Sequence, residues 1–312
     1  MKSLVIVGGE YTGSSAVFDY FSGRPDAAIA FDGGEFDAFH IQDGIASYYQ
    51  LNFSGFFHPL VHDVSFERLQ RRLLHSPNLF EKFIFPGGVI PPKHLVEEFL
   101  NEICLSPVNF RYNSTVFSRH GLIRCLAAFL GKKHRAIGPQ LVLPVAKHEF
   151  LQSSRKFFKA AIDSSISKPS VKKEKAFVVV NQCGSFWSPD MTKLLTGADF
   201  VIRVKRNVFD HFAELKLNKG MLDVESYLRW INATRLHEVE SVDNNVIDVF
   251  FEDLVLNFNE FKEKLLNQLS VDPEIPSHYQ ASISAKNVNM YKNVLSNREI
   301  EALRKIDHVE NV

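Results

Sequence analysis

The sequence predicts an α/β fold: three layers, a parallel sheet with a phosphate-binding loop behind its first strand, and a helical insertion. Three observations predict it. The chain opens with an apolar run that stops at two glycines and resumes as a helix-like run. Residues 176–269 alternate buried-type apolar runs with helical stretches, the pattern of parallel strands with helices on both faces. Between these parts, residues 41–165 carry apolar side chains at helical spacing. The chain of 312 residues, 45% hydrophobic, is read as a single domain of this kind, with the insertion at about 41–165.

The opening stretch is the most informative. Leu4-Val5-Ile6-Val7 reads as a strand, Gly8-Gly9 ends it, and Gly13-Ser14-Ser15 opens a helix that runs on through Ala16-Val17-Phe18-Asp19-Tyr20-Phe21. Glycines let a backbone approach an anion, and the N–H groups at the helix start point at it. Gly8 and Gly13 have the spacing of the P-loop pattern G-x-x-x-x-G-K-[ST], but Ser14 stands where the lysine belongs. That lysine reaches the terminal phosphates of a nucleoside triphosphate, so its loss argues against an ordinary ATPase or kinase. The loop is therefore P-loop-like.

A second strand is expected over 26–31, after a helix stopped by Gly23 and Pro25. Asp32-Gly33-Gly34-Glu35-Phe36-Asp37-Ala38-Phe39-His40 follows it. In open α/β sheets, ligands gather outside the carboxyl ends of strands, which places Glu35, Asp37 and His40 well. Helices are expected over 66–74, 92–103, 115–130 and 147–162, in an insertion of the kind that shapes an acceptor pocket. His58 and His62 have an i, i+4 metal-like spacing. Pro59 disfavours a regular helix there and no third ligand is evident, so no metal is expected. Residues 168–175 read as a basic, solvated linker. Strands follow at 176–180, 198–204 and 245–251, with helices at 190–196, 207–217, 222–240 and 257–269.

Composition bounds the partners. Lysine plus arginine (36) equals aspartate plus glutamate (36), so no global basic field draws the chain to nucleic acid. Three scattered cysteines give neither a disulfide framework nor a zinc site. The apolar start is too short for a signal segment and no apolar run is long enough to span a bilayer. The expectation is a cytoplasmic protein without a membrane span.

Four segments in order resemble sulfotransferases that use 3′-phosphoadenosine-5′-phosphosulfate. Their loop has the form G-x-x-[RK]-[ST]-G-[ST]-[ST]. Gly8, Thr12, Gly13, Ser14 and Ser15 fit it, and Tyr11 replaces the basic residue. Their strand ending in arginine, followed by a turn and a helix, is matched by Arg206, Asn207 and Asp210. Val208 replaces a proline, Phe209 a basic residue, and Glu214 the serine eight residues after the arginine. Phe250-Phe251-Glu252-Asp253-Leu254 resembles a bracing Tyr-Glu-Asp-Leu motif. Ser284 to Ser296, leading to Arg298-Glu299-Ile300, resembles a C-terminal phosphate-contacting segment. The resemblance covers about 1–40 and 176–305.

The resemblance implies transfer of a sulfuryl group to a hydroxyl or amine of an acceptor, a glycan or a small molecule. It assigns Gly9, Tyr11, Thr12, Gly13, Ser14 and Ser15 to the donor's 5′-phosphate side. It assigns Arg206, the Glu214 position and Lys286, with Lys292 as runner-up, to the 3′-phosphate. A glutamate does not help to bind phosphate, so the serine's role is unfilled here. Lys147 and Lys205 are candidates to replace the missing loop cation. Family members use histidine or glutamate as base. The carbohydrate-modifying branch carries a glutamate after the second strand, which makes Glu35 the first candidate and His40 the second. Partial burial of Glu35 among Phe31, Phe36 and Phe39 would raise its pKa toward the working range. Two other readings stay open: a non-catalytic relative that binds nucleotide or glycan, and another P-loop transferase such as a small-molecule kinase.

Overall fold

The computed structural model describes residues 1–55, 58–74, 89, 91–108, 141–166, 175–219, 223–235, 238 and 240–307. The expected helix over 115–130, and most of the 168–175 linker, lie outside the described residues. A five-stranded, all-parallel sheet forms the centre, from β1 (Lys2–Gly8), β2 (Ala27–Ile29), β5 (Phe177–Asn181), β6 (Phe200–Lys205) and β7 (Val246–Phe250), in the spatial order β2-β5-β1-β6-β7. All five strands fall where the apolar runs predict them. A second ladder, β3 (Cys104–Val108) against β4 (Leu141–Pro144), is antiparallel. It corrects the mostly helical reading of 41–165.

Helices cover both faces of the sheet. Alternate strand residues explain why. Leu4, Ile6, Phe177, Val179, Ile202 and Val204 face one layer, built from α1 (Ser14–Ser22), α9 (Phe251–Leu256) and α10 (Phe258–Leu269). Val5, Val7, Val178, Val180 and Val201 face the other. That layer holds α2 (Ile45–Phe53), α3 (Pro59–Leu74), α4 (Lys93–Glu102), α5 (Lys147–Ser165) and α6 (Pro189–Thr196). A period of two buried on both sides is what a central parallel sheet requires. A third apolar cluster joins α7 (Val208–Lys219) and α8 (Val224–Arg235) to α12 (Tyr291–Val294) and α13 (Asn297–Asp307), beyond the short α11 (Ala281–Ser284). Among the described residues no helix is long and apolar enough to cross a membrane.

Helix α3 begins at Pro59, so that proline does not break it. At the first helical position its missing N–H costs nothing, because that group has no intrahelical partner anyway. His62 in α3 is fully buried, with Nε2 at 2.6 Å from the Tyr48 hydroxyl and Nδ1 at 2.7 Å from the Val142 carbonyl. Both ring nitrogens are thus used in packing the insertion.

The topology marks one place. From β1 the chain crosses by α1 on one face to reach β2. From β5 it crosses by α6 on the other face to reach β6. The connections diverge around the carboxyl end of β1, where open sheets of this kind leave a crevice.

Candidate functional site at the carboxyl end of the central strand

The loop between β1 and α1 is tightly wound. The Thr12 N–H and hydroxyl both donate to the Gly9 carbonyl, at 3.3 and 3.0 Å. Tyr11 (φ 59°) and Gly13 (φ 87°) are both left-handed. Gly13 is required twice over: its φ suits glycine, and an added Cβ would collide with the Phe251 ring. A Cβ on Gly8 would come within 2.5 Å of the Thr12 hydroxyl oxygen. Helix α1 then starts with no side-chain cap, and the N–H groups of Gly13, Ser14 and Ser15 have no acceptor among the described residues. Such unpaired amides and the helix dipole favour an anion.

Neighbouring elements fix the loop's orientation. The Glu10 carbonyl accepts from His211 Nε2 at 2.7 Å, and the Tyr11 carbonyl accepts from Arg206 Nη1 at 2.8 Å. In a trans peptide the N–H points opposite to the C=O, so the Tyr11 N–H is aimed away from α7. On the other side, Gln182 bridges the loop. Its Oε1 accepts from Gly8 N–H at 3.1 Å and its Nε2 donates to Ser14 Oγ at 2.7 Å. Ser14 therefore accepts from Gln182 and keeps its own hydrogen to donate elsewhere.

His211 is 6% exposed, and burial first, then the Arg206 charge, hold its pKa down to about 4 despite the Glu10 hydrogen bond. The neutral ring must donate from Nε2 to the Glu10 carbonyl, so Nδ1 accepts from the Tyr227 hydroxyl at 3.0 Å. Both nitrogens are consumed, which makes His211 a loop support and not a base.

Arg206 ends up in an unexpected setting. Its side chain is 2% exposed and stacks 5.0 Å from the Phe251 ring. Its ion pair is with Glu214, not with Asp210. Nη2 donates to the Asn287 carbonyl at 2.6 Å, and Nε is buried without a partner. Asp210, 1% exposed, instead accepts from the N–H groups of Asn289 and Tyr291 at 2.8 and 3.0 Å and from Asn207 Nδ2 at 3.0 Å. Residues 285–291 are thereby clasped over Arg206. Lys286 lies in this segment and is exposed, next to the Asn287 that holds the arginine. Lys292 is also exposed, 5.8 Å over the Tyr291 ring. Glu252 accepts from Asn207 N–H at 3.1 Å and Nδ2 at 2.5 Å, a bracing contact that ties the start of α9 to the start of α7.

Glu35 sits at the carboxyl end of the neighbouring strands. It bridges Asn181 in parallel, and its carbonyl accepts from Val89 N–H at 2.8 Å. The end of β2 lies two strand spacings from β1, about 10 Å. The aromatic burial expected for Glu35 belongs to its neighbours. Phe36 and Phe39 turn into the core against Phe157 and Phe158, while Glu35 is exposed. Alternation at an extended position puts residue 35 opposite residue 36. Desolvation and then the Asp37 charge nonetheless raise the Glu35 pKa. His40 is exposed, with a pKa lowered by desolvation.

The two cations proposed to replace the missing loop residue are placed otherwise. Lys205 pairs with Glu238 at 2.8 Å and Asp248 at 3.0 Å, so it does not serve the loop. Lys147 lies 5.5 Å over the Tyr49 ring at the start of α5. Among the described residues no group of three or more His, Cys, Asp or Glu is arranged to hold a metal ion. Comparison with protein-family models and with curated protein sequences gives no match.

Gln182 and His211 were not singled out by sequence reasoning. The signal for Gln182 was present: Asn181-Gln182 is an abrupt polar pair at the end of an all-apolar strand. His211 carried no local signal, because its partner is 201 residues away.

Proposed function

We propose that this chain is a sulfotransferase. Its donor is a phosphosulfate anhydride of adenosine, with 3′-phosphoadenosine-5′-phosphosulfate the form the sequence resemblance implies. The acceptor is a hydroxyl or amine, in the first instance on a carbohydrate. The observation that carries this reading is the β1–α1 loop. It lies at the topological switch point, its carbonyls at Glu10 and Tyr11 are tied back to His211 of α7 and to Arg206 just after β6, and the N–H groups of Gly13, Ser14 and Ser15 are left for an anion. These amides, with the Ser14 hydroxyl, suit the donor's 5′-phosphate, where charge develops as the bond to sulfur breaks.

In this reading the acceptor oxygen attacks sulfur in line, and Glu35 takes its proton. The bond between sulfur and the bridging oxygen breaks, and that oxygen leaves on the 5′-phosphate. A raised carboxylate pKa beside the switch point supports Glu35 for this role. His40 is the alternative. The Arg206–Glu214 pair favours a second reading, a protein that binds nucleotide or glycan without transfer, because the basic side chains of the resemblance are absent or neutralised. The test is transfer of radiolabelled sulfate from the donor to a panel of glycans, beside calorimetric titration of the product nucleotide. Labelled product supports the enzyme. Nucleotide binding without transfer supports the second reading, and neither binding nor transfer rejects both.

A further inference from the structure

We infer that Glu214 makes this site indifferent or averse to a second phosphate on the donor, so that adenosine 5′-phosphosulfate with a free ribose 3′-hydroxyl binds at least as well as the 3′-phosphorylated form. The inference rests on the reading of the loop at the carboxyl end of β1 as an adenosine-nucleotide site and names its specificity.

The argument begins with the donors of Arg206. A guanidinium has five N–H groups in a fixed fork. Nη1 serves the Tyr11 carbonyl and the Glu214 carboxylate. Nη2 serves the Asn287 carbonyl, with Met290 Sδ at 3.6 Å. Nε is buried, and no solvent-side approach to it remains. The fork that would grip a phosphate in two places is already filled, and its charge is matched by one carboxylate. A phosphate dianion arriving here meets a paired arginine and a negative neighbour, and like charges at close range oppose each other.

Glu214 is at the same time positioned to recognise a hydroxyl. Its side chain keeps 20% exposure, and its Oε1 has no partner among the described residues. Its Oε2 and the Tyr11 carbonyl share one guanidinium nitrogen, so the open oxygen lies beside the loop that would hold the 5′-phosphate. A carboxylate accepts where a ribose hydroxyl donates. Dinucleotide folds divide their ligands the same way, with an acidic residue for the hydroxyl and an arginine for the phosphate. Lys286 and Lys292 do not restore a phosphate site, since both are exposed single charges screened by water.

Calorimetry on the full chain tests the inference, with AMP and adenosine 3′,5′-bisphosphate as probes. The parent should bind AMP as tightly as the bisphosphate or more tightly. Glu214→Gln keeps the shape and a hydrogen-bond acceptor for Arg206 but removes the charge, and should shift the ratio at least about tenfold toward the bisphosphate. A parent that binds the bisphosphate tenfold tighter than AMP overturns the inference and leaves the nucleotide-site reading intact. An unchanged ratio in a folded Glu214→Gln variant does the same. If neither nucleotide binds parent or variant, both readings fall. A measurement on the parent alone covers the case of a variant that does not fold: 3′-deoxyadenosine 5′-phosphate should bind about tenfold more weakly than AMP. Equal binding overturns the hydroxyl contact.

Discussion

The two sides of the crest at the end of β1 are built on different principles. On the β6 side, the Arg206 side chain, Asp210 and His211 are buried, and Asp210 and both ring nitrogens of His211 are committed to backbone or side-chain partners. On the β2–β5 side, Glu35 and His40 are exposed. Asn181 Oδ1 there is buried without a partner, and Gln182 spans the loop by two hydrogen bonds. The first side fixes the loop through buried groups, and the second presents exposed ionisable groups beside it. The contrast teaches that ionisable residues near a ligand loop are not equivalent. A saturated, buried group maintains geometry, whereas an exposed one beside it is available for proton transfer.

Four measurements can break or sharpen this contrast. The largest effect is expected on the open side. Glu35→Gln should lower turnover by about 10²–10⁴ while its melting temperature and nucleotide affinity stay near the parent. Near-parent turnover in Glu35→Gln together with a loss in His40→Ala would move the base to the histidine. Parent-like turnover in both would move the acceptor site off this side.

On the closed side, Asp210→Ala removes the acceptor of three donors in a buried setting. It should cost about 3–5 kcal/mol in urea unfolding, the range for breaking buried charged networks. A loss below about 1 kcal/mol would mean that water replaces the carboxylate and that the segment 285–291 is not clasped by it.

His211 supplies a pH signature of the closed side. Burial holds its folded pKa down to about 4, below the ordinary histidine value of about 6.5. The unfolded chain thus takes up a proton at higher pH than the native state does. Its contribution to stability is fully present above pH 6.5 and is lost as pH falls toward 4, about 3 kcal/mol in all. The difference in unfolding free energy between parent and His211→Gln, followed across that window, isolates it. A flat difference would show that the ring is not held neutral.

The smallest effect is expected at the bridge. Gln182→Ala removes contacts to Gly8 and Ser14 and should cost about 1–2 kcal/mol of stability. It should weaken binding of any phosphate-bearing nucleotide more than it weakens binding of adenosine. Equal weakening would mean that Gln182 supports the fold without shaping the anion loop.

Much of the frame is local and was legible. The apolar runs at 3–7, 176–180 and 198–204 announce strands because nearly every residue of a central parallel strand faces protein, and the run at 245–251 forms the edge strand β7, with Asp248 and Phe250 exposed. Gly13 was legible because left-handed backbone at a helix start demands it. Glu214 was legible as a departure, a carboxylate where phosphate binding calls for a hydroxyl. The β3–β4 ladder was hidden by the helical character of its surroundings, and its short runs have no length to separate them from helix.

By itself, then, the sequence determined the sheet, the glycine loop and the residue types gathered at the strand ends, since these follow from periodicity and backbone sterics over a few residues. The tertiary structure decided the roles. Arg206 pairs with Glu214 and not Asp210, His211 reaches the Glu10 carbonyl, Gln182 spans Gly8 and Ser14, and Glu35 faces out while Phe36 faces in. Each of these depends on which strand end meets which helix start, at separations of up to 201 residues, and a charge or hydrogen bond acts only over the few ångströms that this packing sets.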